Sequence, residues 1–564
     1  MKFILAQLNP LIGDLKGNSK KIIEACKQGL AENAEIVLTP ELSLWGYPPR
    51  DLLFDKSLLK QQYQILEELV TFLLKKKSNL SLLVGIAEVA KDNYLPNLFN
   101  AIAMVNSSGW EVVARKQLLP TYDVFDEKRY FRGADSPGII SLHIKDKLWK
   151  LGITICEDLW VEETIQGQRI IGPNPIEKIA SEQLDILINL SASPFSHSKK
   201  TIRHQLGQDA ISKTNCPLIY LNQVGGNDEL IFDGNSFILN SNKEIIHTLP
   251  RCKENIGFWD SHSANSSYIS PINNPLEELA DVLTLGVKDY AQKCGFKSAV
   301  LGLSGGIDSA LVAIFAIAAL GSENVTAALM PSPWNSLNST QDALDIANRL
   351  LLKKEVIPIE NLMDAFDSSL CIPFGQKTKG ITAENLQSRI RGTILMAIAN
   401  EKNHLLLSTG NKSELAVGYC TLYGDMNGGL SVIGDLYKTT IFKLCEWLDS
   451  DDSLKYRKKN RLPLLGPLIG SSILNKAPSA ELRPNQLDTD SLPDYSILDP
   501  ILQYLIEGQS NCKITNCIEE NKDLLPQVQH LIKKAEFKRR QAPPLLKVSD
   551  QAFGSGWRKP IAAS

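Results

Sequence analysis

The sequence predicts an α/β protein of two domains, each built on its own sheet, and three observations carry that expectation. Short apolar runs alternate with helical periodicity along most of the chain. Between about 251 and 275 that alternation lapses into a polar segment ending in Ser270-Pro271-Ile272-Asn273-Asn274-Pro275, which reads as a boundary. Beyond it, the apolar run Ala299 to Leu303 turns through two glycines into a long apolar helix candidate, Ala310 to Leu320. A strand, a glycine turn and a helix in succession belong to a doubly wound, mostly parallel sheet. The expected division is residues 1–262, a linker at 263–275, and 276–564.

In the first domain, Phe3 to Leu8, Ile36 to Leu38, Leu80 to Ile86 and Asn100 to Val105 read as strands, with Ser107-Ser108-Gly109 as a hairpin turn. Leu151 to Ile155, Asp185 to Asn189, Leu218 to Asn222 and Phe237 to Leu239 follow in the same pattern, while helical periodicity fills Asn18 to Ala31 and Ser57 to Lys75. In the second domain a helix from about Leu276 to Cys294 precedes the glycine turn. Strands at Thr326 to Met330, Glu355 to Ile359 and Leu405 to Ser408 come after it, with a helix from about Thr382 to Asn400.

Composition narrows the class. At 564 residues, 43% hydrophobic and 22% charged, the chain can bury two cores. A net charge of −3 gives no global attraction to nucleic acid or to an anionic membrane. No uninterrupted apolar stretch reaches the length of a membrane span, and MKFILAQLNP reads as a first strand because Gln7, Asn9 and Pro10 break its apolar run. Ten scattered cysteines, with no C-x-x-C spacing, predict neither a metal site nor a disulfide framework. A cytoplasmic protein with reduced thiols is expected.

Two places carry chemistry. Ser304-Gly305-Gly306-Ile307-Asp308-Ser309 opens a helix, whose first N–H groups lack partners and attract an anion. A Walker loop would place Lys after its second glycine; here an acid, Asp308, stands in that region, which suits Mg²⁺ held against a polyphosphate. In the first domain, Glu41, Lys116 and Cys156 each stand at a strand end. A thiol nucleophile needs a carboxylate to take its proton and a cation to steady the charge on the attacked carbonyl, and these three supply both.

The flanks Pro40-Glu41-Leu42, Arg115-Lys116 and Ile155-Cys156-Glu157-Asp158-Leu159-Trp160 resemble the nitrilase superfamily, which cleaves carbon–nitrogen bonds through a thioester. The resemblance implies a four-layer αββα sandwich, with Cys156 as nucleophile, Glu41 as general base and Lys116 as stabiliser of the tetrahedral intermediate. Glu127 is the candidate for a supporting second Glu, the other reading being a surface charge paired with Lys128 or Arg129. Tyr122, Ser193 in Ser191-Ala192-Ser193-Pro194-Phe195, and Lys199 look like the glutamine-binding positions of the superfamily's glutaminase branch.

The S-G-G-x-D-S pattern resembles the pyrophosphate loop of ATP pyrophosphatases, which implies an ATP site of Gly302, Leu303, Ser304, Gly305, Gly306, Ile307, Asp308 and Ser309. Helical spacing puts Glu384, Gln387 and Arg391 on one face, with Asn385 and Arg389 alongside. That run, with Ser408-Thr409-Gly410-Asn411-Lys412-Ser413-Glu414, resembles the NAD synthetases. The resemblance implies Thr409 on ATP, Asn385, Glu414 and Lys538 on deamido-NAD, and Asp308 and Glu414 near Mg²⁺. The stretch from Asp451 to Asp494 looks like a lid over an adenylate, or an ordinary surface loop.

Paired in one chain, the halves are similar to the NAD synthetases that draw nitrogen from glutamine. ATP, Mg²⁺, glutamine and deamido-NAD are the implied ligands, without nucleic acid or membrane, and a homo-oligomer is expected. Two rival readings stay open: an adenylating amidotransferase acting on another carboxylate, and a non-catalytic ATP-binding scaffold.

Overall fold

A computed structural model describes residues 1–564 apart from 93, 145, 167–168, 263–273, 509–511 and 564. The chain divides into two compact units, Met1–Ile272 and Asn273–Ser564. The expected linker at 263–275 lies largely outside the described residues; the helix Pro275–Lys293 begins the second unit, with Asn274 capping it.

The first unit holds two six-stranded sheets. One runs, in spatial order, Asn255–Asp260, Lys2–Gln7, Ile36–Leu38, Ser81–Val89, Leu98–Asn106 and Gly109–Arg115. The other runs Ile245–Thr248, Phe237–Leu239, Leu218–Asn222, Ile186–Ser191, Lys147–Ile155 and Gly138–Ile144. Side chains alternate across each strand, so each sheet has two apolar faces to cover. Phe3, Leu5, Ile36, Leu38 and Leu83 of the first sheet pack against Ile153, Ile155, Ile186, Ile188 and Leu190 of the second. The opposite face of the first sheet, Ile4, Val37, Leu82 and Val84, is covered by Ile22 and Ala25 of the helix Leu15–Ala31 and by Ile65, Leu66 and Leu69 of the helix Lys56–Lys75. Leu187, Leu218 and Phe237 of the second sheet are covered in the same way by the helices Pro175–Ala180 and Lys199–Thr214. The layers therefore read α, β, β, α, as the sequence implied.

The second unit is a five-stranded sheet, all parallel, in the order Lys353–Val356, Val325–Leu329, Ala299–Gly302, Leu405–Ser408, Leu430–Ser431. The order reverses between Ala299–Gly302 and Leu405–Ser408, and in such sheets ligands bind at the carboxyl ends of the strands flanking that point. The strand expected at Glu355 to Ile359 lies earlier, at Lys353–Val356. Pro358 has no N–H to give a ladder, although the Ile357 and Ile359 N–H groups still donate to Leu329 and Pro331 carbonyls. The helix after the glycine turn begins at Ile307, not Ala310, so Asp308 and Ser309 belong to its first turn.

The charged run from Asp451 to Asn460 is scaffold and not cover. Tyr456 is buried with its hydroxyl 2.6 Å from Thr284 Oγ1, and Arg457 donates to the carbonyls of Pro463 and Gly466. Of the described residues, no helix is long and apolar enough to cross a membrane.

Candidate active sites

In the first unit the topology brings Glu41, Lys116 and Cys156 together from three separate strand ends. Lys116 Nζ donates to Glu41 Oε1 at 2.7 Å and to Glu127 Oε1 at 2.6 Å. Glu41 is fixed on both oxygens: Oε1 also accepts from Asn100 Nδ2 at 2.7 Å, and Oε2 from the Ala192 N–H at 3.0 Å. Glu127 is buried and also accepts from the Tyr47 hydroxyl at 2.8 Å, which overturns the surface-charge alternative. Glu41 is 0% exposed, Lys116 1% and Cys156 6%.

Burial works to strip charge from Lys116, yet Glu127 and Glu41 hold its pKa well above the ordinary lysine range. Burial pushes Glu127 up to about 7 against the pull of Lys116, with Glu41 adding to the rise. Burial likewise pushes the Cys156 thiol well above its ordinary range; Glu41 adds to this and Lys116 opposes it. A thiol that rests protonated beside a fixed carboxylate is arranged to surrender its proton as it attacks.

Cys156 sits at φ 45°, a left-handed conformation that a non-glycine residue holds only under constraint. The constraint is Asp158. Its Oδ1 accepts from the N–H groups of Gln117 and Leu118, both at 2.9 Å, and its Oδ2 from the Ile155 N–H at 3.1 Å. One buried carboxylate thus ties the residues after Lys116 to the residue before Cys156. Asp158→Ala would leave three buried N–H groups without acceptors, at about 1–3 kcal/mol each. We expect the unit to lose on the order of 3–5 kcal/mol, and calorimetry finding its transition unmoved would contradict this role.

Around the thiol, the Tyr122 hydroxyl donates to Glu157 Oε1 at 3.1 Å, and the Lys199 ammonium lies 5.1 Å from the Trp160 ring centroid and 5.5 Å from that of Phe125. Burial raises the Glu157 pKa, with Lys116 and Lys199 acting against it. Tyr122 and Lys199 therefore both act on Glu157, the acid that follows the nucleophile in the chain. Ser193 is buried, and its Oγ accepts from Arg203.

In the second unit a cavity of about 300 Å³ opens at the carboxyl ends of Ala299–Gly302 and Leu405–Ser408. Gly302, Leu303, Ser304, Gly306, Ile307, Asp308, Ser309, Thr409 and Glu414 line it. Gly305 stands behind the wall at φ 80°, where a Cβ would meet the Ser339 carbonyl oxygen at 2.1 Å. Ser304 and Ser309 bond to each other, Oγ to Oγ at 3.1 Å, and the Gly306 N–H donates to Ser304 Oγ.

Lys438, which nothing in the sequence pattern marked, stands between the two acids expected near a cation: its Nζ pairs with Asp308 and lies 3.7 Å from Glu414. Burial pushes Glu414 up to about 8 against Lys438, with Asp308 adding to the rise. Asp308 also accepts from Asn411 Nδ2 at 3.1 Å.

The helix Ile381–Lys402 splits its polar residues between two neighbours. Gln387 donates to the Leu482 carbonyl, and Arg391, whose pKa burial lowers to about 10, donates to Met330 and Asn335. Lys476 to Leu482 close that side of the cavity. On its other face, Asn385 accepts from Thr421 and Arg389 donates to the Leu422 carbonyl. Neither Asn385 nor Lys538 contributes to the cavity wall. Lys538 Nζ donates to the carbonyls of Gly418 and Cys420 at 2.8 and 2.7 Å, and Arg539 to those of Leu415 and Ala416. The basic run therefore caps the carboxyl end of the helix Lys412–Val417, where free carbonyls attract cations.

Two family models match the chain: carbon-nitrogen hydrolase over residues 5–260 and NAD synthase over 279–542. A hydrolase of carbon–nitrogen bonds joined to a nucleotide-dependent synthase defines a nitrogen-transferring ligase. The chain is 47% identical over 567 residues to the glutamine-dependent NAD(+) synthetase of Synechocystis sp., covering 99% of this chain and 98% of that one. It is 37% identical to the protein of that name from Thermotoga maritima, covering 100% and 98%. The structure of glutamine-dependent NAD+ synthetase from Acinetobacter baumannii in complex with ADP superposes with a TM-score of 0.74 at 33% identity, covering 99% of this chain and 98% of that one. The chain belongs to the glutamine-dependent NAD(+) synthetase family.

Proposed function

We propose that this enzyme makes NAD from deamido-NAD, ATP and glutamine. The observation that carries the reading is the presence on one chain of a buried Cys156–Lys116–Glu41 cluster and of a parallel-sheet cavity walled by a glycine loop and Asp308. In the first unit Cys156 gives its proton to Glu41 and attacks the side-chain amide carbon of glutamine, while Lys116 steadies the oxyanion. The carbon–nitrogen bond breaks, ammonia leaves with the proton from Glu41, and water hydrolyses the thioester to glutamate. Glu127 keeps Lys116 charged and in place. Tyr122, Ser193 and Lys199 hold the amino acid, and a Lys ammonium suits its carboxylate.

In the second unit the nicotinate carboxylate of deamido-NAD attacks the α-phosphate of ATP, and the bond to the β-phosphate breaks. Ammonia then attacks the adenylated carboxyl carbon and AMP departs. The Ser304–Ser309 turn offers N–H and hydroxyl donors to the phosphates, with Thr409 beside it. Asp308 and Glu414 fit Mg²⁺, which takes one or two carboxylates and completes its shell with phosphate oxygens and water. Bound there, Mg²⁺ would offset the charge gathering on the leaving pyrophosphate. Lys438 supplies positive charge to the same acids. Nine described cysteines are free thiols, which supports a reducing, cytoplasmic setting. The helix Glu360–Phe374 buries none of its residues and exposes Leu362, Phe366, Ile372 and Phe374, an apolar face that supports a homo-oligomer.

NAD formation measured with glutamine or with ammonium as donor tests the reading. Wild type is expected to use both donors, and Cys156→Ala only ammonium. No NAD from either donor in folded wild type would send the assignment to an amidotransferase acting on another carboxylate.

A further inference from the structure

Beside the Cys156 site stands a charged group that the reaction as described does not use. Arg203, on the helix Lys199–Thr214, is 2% exposed. Its Nη1 donates to Asp233 Oδ1 at 2.8 Å, its Nη2 to the Ser193 carbonyl at 2.8 Å and to the Pro194 carbonyl at 3.1 Å, and its Nε to Ser193 Oγ at 3.2 Å. Asp233 is held in turn by Asn235 Nδ2 at 2.6 Å. Burial works against the guanidinium's charge, and Asp233, together with Tyr220 and Cys156, outweighs it.

The segment that Arg203 grips is the one that positions Glu41. The Ala192 N–H donates to Glu41 Oε2, the Ser193 N–H to Asn222 Oδ1 at 2.9 Å, and the Phe195 N–H to the Ile231 carbonyl at 2.7 Å. Arg203 takes the carbonyls of the next two residues after Ala192. A shift there moves the general base.

The fourth bond has a different consequence. A guanidinium only donates, so Ser193 Oγ is the acceptor of that bond. A hydroxyl has a single proton, and with Arg203 on its oxygen that proton is turned to another acceptor; the buried Tyr220 hydroxyl lies within reach of it, and a bound ligand oxygen would compete for the same proton.

We propose that Arg203 is a positioning residue of the amide-cleaving site, which fixes the 191–195 segment beneath Glu41 and commits the Ser193 hydroxyl to donate to an acceptor oxygen of the bound amino acid. This rests on the reading that Ser193 binds glutamine. A lysine would keep the charge but not the planar fork that reaches Asp233, two carbonyls and a hydroxyl together.

Steady-state kinetics with both nitrogen donors test it, on wild type, Arg203→Lys, Ser193→Ala and the double variant. Arg203→Lys is expected to raise the KM for glutamine about tenfold and to lower kcat about tenfold, with ammonium-supported rates within about twofold of wild type. In the Ser193→Ala background the KM part of that effect should vanish, because its route is already gone. A merely structural role would lower kcat through a smaller active fraction and leave KM alone.

Unchanged glutamine kinetics in folded Arg203→Lys, or KM effects that simply multiply in the double variant, would overturn the proposal. Should Arg203→Lys not fold, Ser193→Ala decides alone, since it leaves the Arg203–Asp233 pair intact; an unchanged KM there also overturns it. Failure of the underlying glutaminase reading would look different, because wild type itself would release no glutamate from glutamine.

Discussion

Lys116→Met is expected to lower glutamine-supported NAD formation by at least about 10³-fold, the scale of a lost oxyanion-stabilising donor, and to leave the ammonium-supported rate within about twofold. Methionine nearly matches the length of lysine but brings no charge, so Glu41 and Glu127 are left buried without their shared cation. Breaking a buried ion pair by removing one partner costs about 3–5 kcal/mol, and the variant's first unit should unfold earlier by that measure. The pH dependence follows from the same loss. Burial already holds Glu127 near 7 in the folded protein with Lys116 pulling it down, and without Lys116 it rises further. A carboxyl whose folded pKa lies above its unfolded value contributes stability that is present below the unfolded pKa and lost as pH rises through the folded one. Thermal denaturation of wild type and variant at pH 5 and pH 8 should therefore show a wider gap at pH 8. A gap that is equal at both would mean that Lys116 does not carry the charge balance of the cluster.

The readable part of this site was the part that local patterns announce. Glu41 and Cys156 each end an apolar run, and Lys116 follows one, so strand periodicity located them and the flanking motifs grouped them. Their partners carry no local signal. Asn100 lies inside an apolar strand, and its amide gains meaning only when that strand comes to lie beside Glu41, 59 residues away in the chain. Tyr47 reaches Glu127 across 80 residues, and Arg203 reaches Asp233 across 30. Asp233 itself ends the hairpin of Val224–Asn227 and Leu230–Asp233, where Gly225 and Gly226 obscure the strand pattern because glycine is poor in strands. Lys438 is hidden by the same logic: a single lysine opening a helix reads as surface until Asp308 arrives from 130 residues before it. Lys538 likewise gains partners that no local pattern announces, donating to the Gly418 and Cys420 carbonyls just past the end of a neighbouring helix.

Gly305→Ala makes the complementary prediction: NAD formation should fall at least about 100-fold with glutamine and with ammonium alike. The position is closed to a side chain on two grounds. Its φ of 80° strains any L residue, and the added methyl would stand 2.1 Å from the Ser339 carbonyl oxygen and 3.1 Å from the Ala343 nitrogen, both backbone of the helix Leu337–Arg349. Neither neighbour is a flexible side chain that can swing aside, so the turn must move. Moving it parts Ser304 from Ser309 and draws the Gly306 N–H off Ser304 Oγ, and these are the donors proposed to meet the phosphates. A misplacement of about 1 Å in a positioning group is enough for a 10²-fold loss in rate. Glutamine binding is not at issue in this variant, so supplying ammonia directly cannot restore it, in contrast to Lys116→Met. Ammonium-supported activity surviving in Gly305→Ala would mean that the glycine turn is only the join between a strand and a helix, and that the phosphates lie elsewhere in the cavity.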